Sequence, residues 1–179
     1  MSQPTVQYEK NAELFADYQT PYKLNRPILA PSGEPGNFDA LGVDNMRIFR
    51  HKGRFYATYI GFDGVGYQTA LAVSDDLIEW QKLGVIFPRG SANAWDRVGR
   101  AVSCWLHDVD LYGNRELIAK DGKYWMFYHA YPDEGYEGGS AANGLAWTED
   151  DTFHDWHFLD KPVFEKAAEG VDWRGTALL

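Results

Sequence analysis

Two carboxylates in this sequence stand at the heads of apolar, strand-like runs. Asp44 lies in Gly42-Val43-Asp44-Asn45-Met46-Arg47, and Glu116 in Asn114-Arg115-Glu116-Leu117-Ile118. Two carboxyl groups facing one cleft can divide general acid/base work. One protonates a leaving oxygen while the other activates water or attacks carbon, as cleavage of a glycosidic bond requires. Asp44 is expected as the base, and Glu116 as the acid or as a modulator of the pair. Each has a structural alternative: Asp44 could cap the strand it precedes. Glu116 could be the ion partner of an arginine, since an unpaired acid on a channel-facing strand is costly. A carboxyl separation of roughly 6.5–9.5 Å accompanies inversion of the anomeric centre and about 5 Å retention. Inversion is the expected outcome.

Other residues could serve the same site. Arg47 and Arg115 could neutralise these acids, orient a substrate, or bind an anionic group such as phosphate or a uronate. Asp39, Asp108, Trp95 and Trp173 are candidate substrate contacts, the tryptophans by stacking on a sugar ring. Asp108 belongs to His107-Asp108-Val109-Asp110, where alternation on an extended chain points both carboxylates the same way. That cluster could hold a structural calcium ion, shape a pocket, or form a solvated turn. No other metal and no cofactor is expected. Nucleophilic serine chemistry has no support, because no Gly-x-Ser-x-Gly elbow occurs. Cys104 sits in the apolar run Ala101 to Trp105 and reads as core. The loop Gly61 to Gly66 lacks the Gly-Lys-Ser/Thr ending of a phosphate loop.

The elements that must position these groups come from an internal repeat. Asn45 to Gly61 (NMRIFRHKGRFYATYIG) resembles Asn114 to Ala130 (NRELIAKDGKYWMFYHA), with Lys52-Gly53 over Asp121-Gly122. A glycine-containing two-residue turn between β-branched or aromatic runs predicts a hairpin. Downstream, TALAVSDDLIEW (Thr69 to Trp80) matches NGLAWTEDDTFHDW (Asn143 to Trp156), and a further short strand follows each. Four antiparallel strands per copy predict all-β propeller blades. The boundaries read as a lead-in over 1–26, with a short helix over Asn11 to Tyr18, a first blade over 27–92 and a second over 93–168. A third begins at 169–179, where Asp172-Trp173-Arg174-Gly175 repeats an aspartate–aromatic–glycine pattern. Two registers compete for the second copy. Aligning the turn glycines puts Glu116 opposite Arg47; aligning Gly42 with Gly99 pairs Asp44 with Ala101 and implies a 12-residue insertion around His107 to Asp110.

Composition narrows the partners. The chain has 179 residues, with 17 Lys and Arg against 26 Asp and Glu, a net charge of −9. Such a surface repels phosphate backbones, so nucleic acid is not an expected partner. Seven Trp, 11 Tyr and 10 Phe need burial or a ligand to cover them, and a neutral oligosaccharide suits an acidic, aromatic surface. One cysteine excludes an internal disulfide framework. No apolar run approaches the roughly 18 residues of a membrane span, and no membrane partner is expected. An open arc of two blades leaves apolar faces exposed. The chain is therefore expected to associate with itself or to belong to a longer chain.

The string Gly42-Val43-Asp44 … Lys52-Gly53-Arg54-Phe55-Tyr56, followed by Ala72-Val73-Ser74-Asp75-Asp76-Leu77-Ile78-Glu79-Trp80, resembles the five-bladed β-propeller glycosidases. These include glycoside hydrolase families 43, 32, 117 and 130, the last containing β-mannoside phosphorylases. The resemblance spans about residues 27 to 175. It implies a glycoside hydrolase in which an acid at the first blade's entrance is base or nucleophile. Asp44 matches that position, with Asn45 where family 43 usually has proline. Glu116 is a loose match to a second acid, and the third has no counterpart here. The alternatives are a phosphorylase, with arginines and a histidine binding phosphate, and a non-catalytic carbohydrate-binding or assembly module. The amino terminus without a signal sequence resembles the intracellular members, which implies a cytoplasmic protein acting on imported oligosaccharides.

Overall fold

A computed structural model of the chain describes residues 23–165. The expected helix over Asn11 to Tyr18 and the expected third repeat with Trp173 lie outside the described residues. The elements are β1 (Gly42–His51), β2 (Arg54–Phe62), β3 (Tyr67–Ser74), β4 (Gln81–Phe87), β5 (Gly99–Trp105), β6 (Tyr124–Tyr131), β7 (Ala142–Thr148) and β8 (His157–Phe158). They form two four-stranded antiparallel sheets, in the orders β1-β2-β3-β4 and β5-β6-β7-β8. Each sheet is a meander of sequence neighbours, the layout of a propeller blade.

Local chemistry explains both meanders. At Lys52-Gly53 and at Asp121-Gly122 both turn residues have positive φ, from 49° to 80°. That backbone matches the right-handed strand twist, and glycine adopts it without a Cβ clash. The polar turn before the last strand is also built twice. Ser74 Oγ accepts from the Asp76 and Leu77 amides, and Asp76 Oδ1 accepts from Ile78 and Glu79. Thr148 and Asp150 do the same in the second blade, where Asp150 accepts from Thr152, His154 and Asp155. Leu77 and Phe153 take the left-handed conformation, and Trp80 and Trp156 donate their indole N–H groups to Leu77 and Phe153 carbonyls. The repeated serine/threonine–aspartate–tryptophan phrase is thus a turn device.

Strand register settles the alignment of the two copies. Gly42 pairs with Phe62 in the first blade and Gly99 with Tyr131 in the second. The innermost strands are therefore 57 positions apart and the second strands 69, so the second blade carries 12 additional residues between β5 and β6. Asp44 corresponds to Ala101. The segment holding Glu116 belongs to the inserted connection rather than to an innermost strand. It is not idle chain, since Leu117, 8% exposed, joins the main core with Phe49, Val102, Trp105 and Met126. The blades are joined through polar backbone bonds as well. Thr69 Oγ1, on β3, donates to the Arg100 carbonyl and accepts from the Val102 amide on β5.

Candidate functional site

The innermost strands carry matching β-bulges. In β1 two residues, Asn45 and Met46, lie between the Asp44–Ile60 and Arg47–Thr58 pairs, and in β5 the irregularity falls between Val102 and Cys104. Asn45 holds the bulge with φ 51°. Its amide donates to Asp44 Oδ1 at 2.6 Å, its side-chain amide donates to the Val102 carbonyl at 2.9 Å, and its Oδ1 accepts from Arg47 Nε at 3.0 Å. One asparagine therefore orients the flanking acid and base and ties them to the second blade. Bulges re-aim side chains in this way, and here they leave Asp44 and Arg47 exposed.

Near them lie groups that sequence reasoning missed. His129, on β6, places Nδ1 3.0 Å from Ser103 Oγ. Burial pulls its pKa below the ordinary value, with Glu137 opposing and Arg47 adding to the fall, so the imidazole is neutral at neutral pH. Burial likewise pushes the Cys104 thiol up, against Arg47, which leaves it a poor nucleophile. Tyr67 and Tyr131 stand with ring centroids 6.1 Å apart, and Tyr136 stacks on Phe62 at 4.0 Å. The Tyr67 hydroxyl is pushed up by burial and then by the charges of Glu137 and Asp44. A usable signal did exist. His129 and Tyr131 fall where the first copy has Ile60 and Phe62, so a polar side chain replaces an apolar one at a repeat position.

The remaining expected residues are placed elsewhere. Glu116 accepts from the Lys52 amide at the far end of β1, where Leu117 and Arg115 also pair with Arg50. Along the strand this is about 20 Å from Asp44, well beyond the reach of an acid/base pair. Arg115 lies 3.3 Å from His107 Nε2 at that same end. The Asp108 carboxylate accepts from the Asp110 and Asn114 amides and so closes a turn. Among the described residues, no group of three or more His, Cys, Asp or Glu is arranged to hold a metal ion. Asp39, 2% exposed, pairs with Lys82 at 2.5 Å. Trp95 stacks on Tyr128 at 5.7 Å as Phe38 packs on Tyr59. Asp39 and Trp95 are thus blade-entrance packing, repeated as Asp96 with Arg100 at 2.7 Å, and burial keeps Asp39 from a ligand.

Comparison with known proteins agrees with this architecture. No family model matches the chain. The chain is 25% identical over 114 residues to a 1,2-beta-oligomannan phosphorylase of Thermoanaerobacter sp. (strain X514), covering 62% of this chain and 31% of that protein. Two solved structures, a BT0996 complex with RGII and a glycoside hydrolase, each superpose with a TM-score of 0.70 at 30% identity. They match 89% and 90% of this chain and 46% and 47% of theirs, so the chain spans about half their length. A family 117 glycoside hydrolase of Zobellia galactanivorans and a member of the GH130 family of mannoside phosphorylases share the fold at 19% and 20% identity, with TM-scores of 0.55 and 0.52. The fold is that of propeller glycoside hydrolases and phosphorylases, with two blades among the described residues.

Proposed function

We propose that this chain forms part of an enzyme cleaving glycosidic bonds of an oligosaccharide, with Asp44 as the base that activates water. The carrying observation is the exposed Asp44 on a bulged innermost strand, oriented by the Asn45 amide and close to Arg47. Water loses its proton to the Asp44 carboxylate as its oxygen attacks the anomeric carbon, and Arg47 orients the sugar or its leaving group. Similarity to carbohydrate-active enzymes supports the substrate class. No helix among the described residues is long and apolar enough to cross a membrane.

Asp44→Asn removes the base while keeping the side chain's shape. The expected result is a roughly 10²–10⁴-fold fall in kcat, with urea unfolding unchanged, measured on aryl glycosides. A variant that keeps all activity would overturn Asp44 as the base, whereas sugar binding without any turnover by the parent chain would favour a non-catalytic carbohydrate-binding module. Phosphorolysis is the second reading, favoured by one observation. Arg47 has no carboxylate in ion-pair contact among the described residues, and its charge reaches His129. Turnover that requires inorganic phosphate and releases a sugar phosphate would select it.

A further inference from the structure

The site as described has one exposed carboxylate, and cleavage of an unactivated glycosidic bond needs a proton for the departing oxygen. The connection between β6 and β7 supplies a second acid. It is pinned at three points. The Asp133 amide donates to the Gly138 carbonyl at 3.1 Å, Arg97 holds the Asp133 carboxylate at 2.8 Å, and the Gly135 amide donates to the Val65 carbonyl of the β2–β3 loop at 2.9 Å. The last of these bonds the second blade's loop onto the first blade. Tyr136 then lays its ring on Phe62 at 4.0 Å and 21°, with 63% of the residue still exposed. Phe62 pairs with Gly42, two residues before Asp44. Glu137 follows Tyr136 directly, exposed, and its charge acts on Tyr67, His129 and Tyr131.

We infer that Glu137 is the proton donor of this site, carried to the mouth by the β6–β7 connection and working opposite Asp44. The inference rests on the reading of Asp44 as base. The Glu137 carboxyl gives its proton to the glycosidic oxygen as the bond from the anomeric carbon breaks. The bonding pair stays with that oxygen, which leaves as an alcohol. Water adds to the carbon and passes its proton to Asp44. Both carboxyls then exchange protons with solvent and return to their starting forms. Tyr136, backed by Phe62, fixes the direction of the neighbouring carboxyl and offers its free face to the departing sugar.

The test compares leaving groups on the full chain. The probes are 4-nitrophenyl and 2,4-dinitrophenyl glycosides of mannose, galactose, arabinose and xylose in both anomers, with the matching methyl glycosides. A proton donor matters only when the departing oxygen is basic. Glu137→Gln is expected to lose roughly 10²–10⁴-fold on methyl glycosides and less than about tenfold on 2,4-dinitrophenyl glycosides. Equal losses on both classes, or no loss on either, overturn the proposal. If Asp44→Asn is inactive while Glu137→Gln is unimpaired, the assignment of Glu137 falls and the base stands. If the parent chain turns over none of these probes, both fall.

Discussion

Asp39 and Asp44 stand five positions apart, and their surroundings give them opposite uses. Asp39 is buried against Lys82, whose ammonium also donates to the Ala30 carbonyl. Removing that cation strands a buried carboxylate, so Lys82→Met is expected to cost about 3 kcal/mol in a urea unfolding experiment. Sugar affinity should be unaffected. Asp44 keeps its carboxylate in water, and Asp44→Asn is expected to spare stability and remove turnover. A stability loss at Asp44 together with a binding loss at Lys82 would mean that the two roles had been exchanged. No local feature separates these aspartates: each precedes or opens an apolar run. The difference comes from Lys82, 43 residues away on β4.

At the scale of elements, the 12 additional residues between β5 and β6 behave as a strut. Their backbone pairs with Arg50, Glu116 caps the Lys52 amide, and Leu117 enters the core between blades. Leu117→Ala is expected to destabilise by about 2–4 kcal/mol, read from the urea midpoint. A change under about 1 kcal/mol would show that the connection merely rests on the surface. The third strand of the second blade carries a tighter constraint. A Cβ at Gly144 would meet the Tyr128 ring, itself fully buried. Gly144→Ala is expected to cost about 1–3 kcal/mol through overpacking. The hairpins and polar turns were legible because their signals are local: two turn residues with positive φ, and a capping pair a few residues from a tryptophan. The inserted connection was legible only as one of two registers, because sequence similarity around each turn is equally good on either side of it.

At the scale of the whole molecule, the inter-blade seam is expected to be pH-sensitive. His51, on β1, is caged by Tyr56, Tyr124 and Phe153, and its Nε2 lies 3.3 Å from Asp151 of the second blade. Burial holds its pKa below 6.5, with Asp151 opposing. The unfolded chain therefore takes up this proton at a higher pH than the folded one, and stability falls as pH drops below about 6.5. His129 acts in the same direction. For Asp150 partial burial pushes upward, but hydrogen bonds from Thr152, His154 and Asp155 bring its pKa to about 2 from 3.8. Its contribution is present above 3.8 and lost as pH falls toward 2. The urea midpoint is expected to decline first below about pH 6.5 and again below about pH 4; a flat midpoint between about pH 7 and pH 4.5 would contradict the histidine assignment. Two blades also leave Leu41, Ile48 and Ile118 exposed. We propose that they are covered by a second copy or by further blades. Light scattering is expected to give a particle above 20.3 kDa, and a stable monomer would refute self-association.

The sequence alone determined that the described residues form repeated four-stranded antiparallel units, because turn chemistry and alternation act over a few residues and each blade repeats them. Its acidity and aromatics pointed to a neutral partner for the same reason: composition needs no fold. The membership of the site was decided by tertiary structure. Glu137 lies in a glycine-rich connection with no periodic signal, and His129 is hidden in an aromatic strand. They are brought to the first blade only because β5 packs on β3 and the β6–β7 connection bonds to the β2–β3 loop. Glu116, promising by type and position, is carried by 12 inserted residues to the far end of β1. A carboxylate's chemistry depends on what stands within a few ångströms of it, and packing between blades sets those distances.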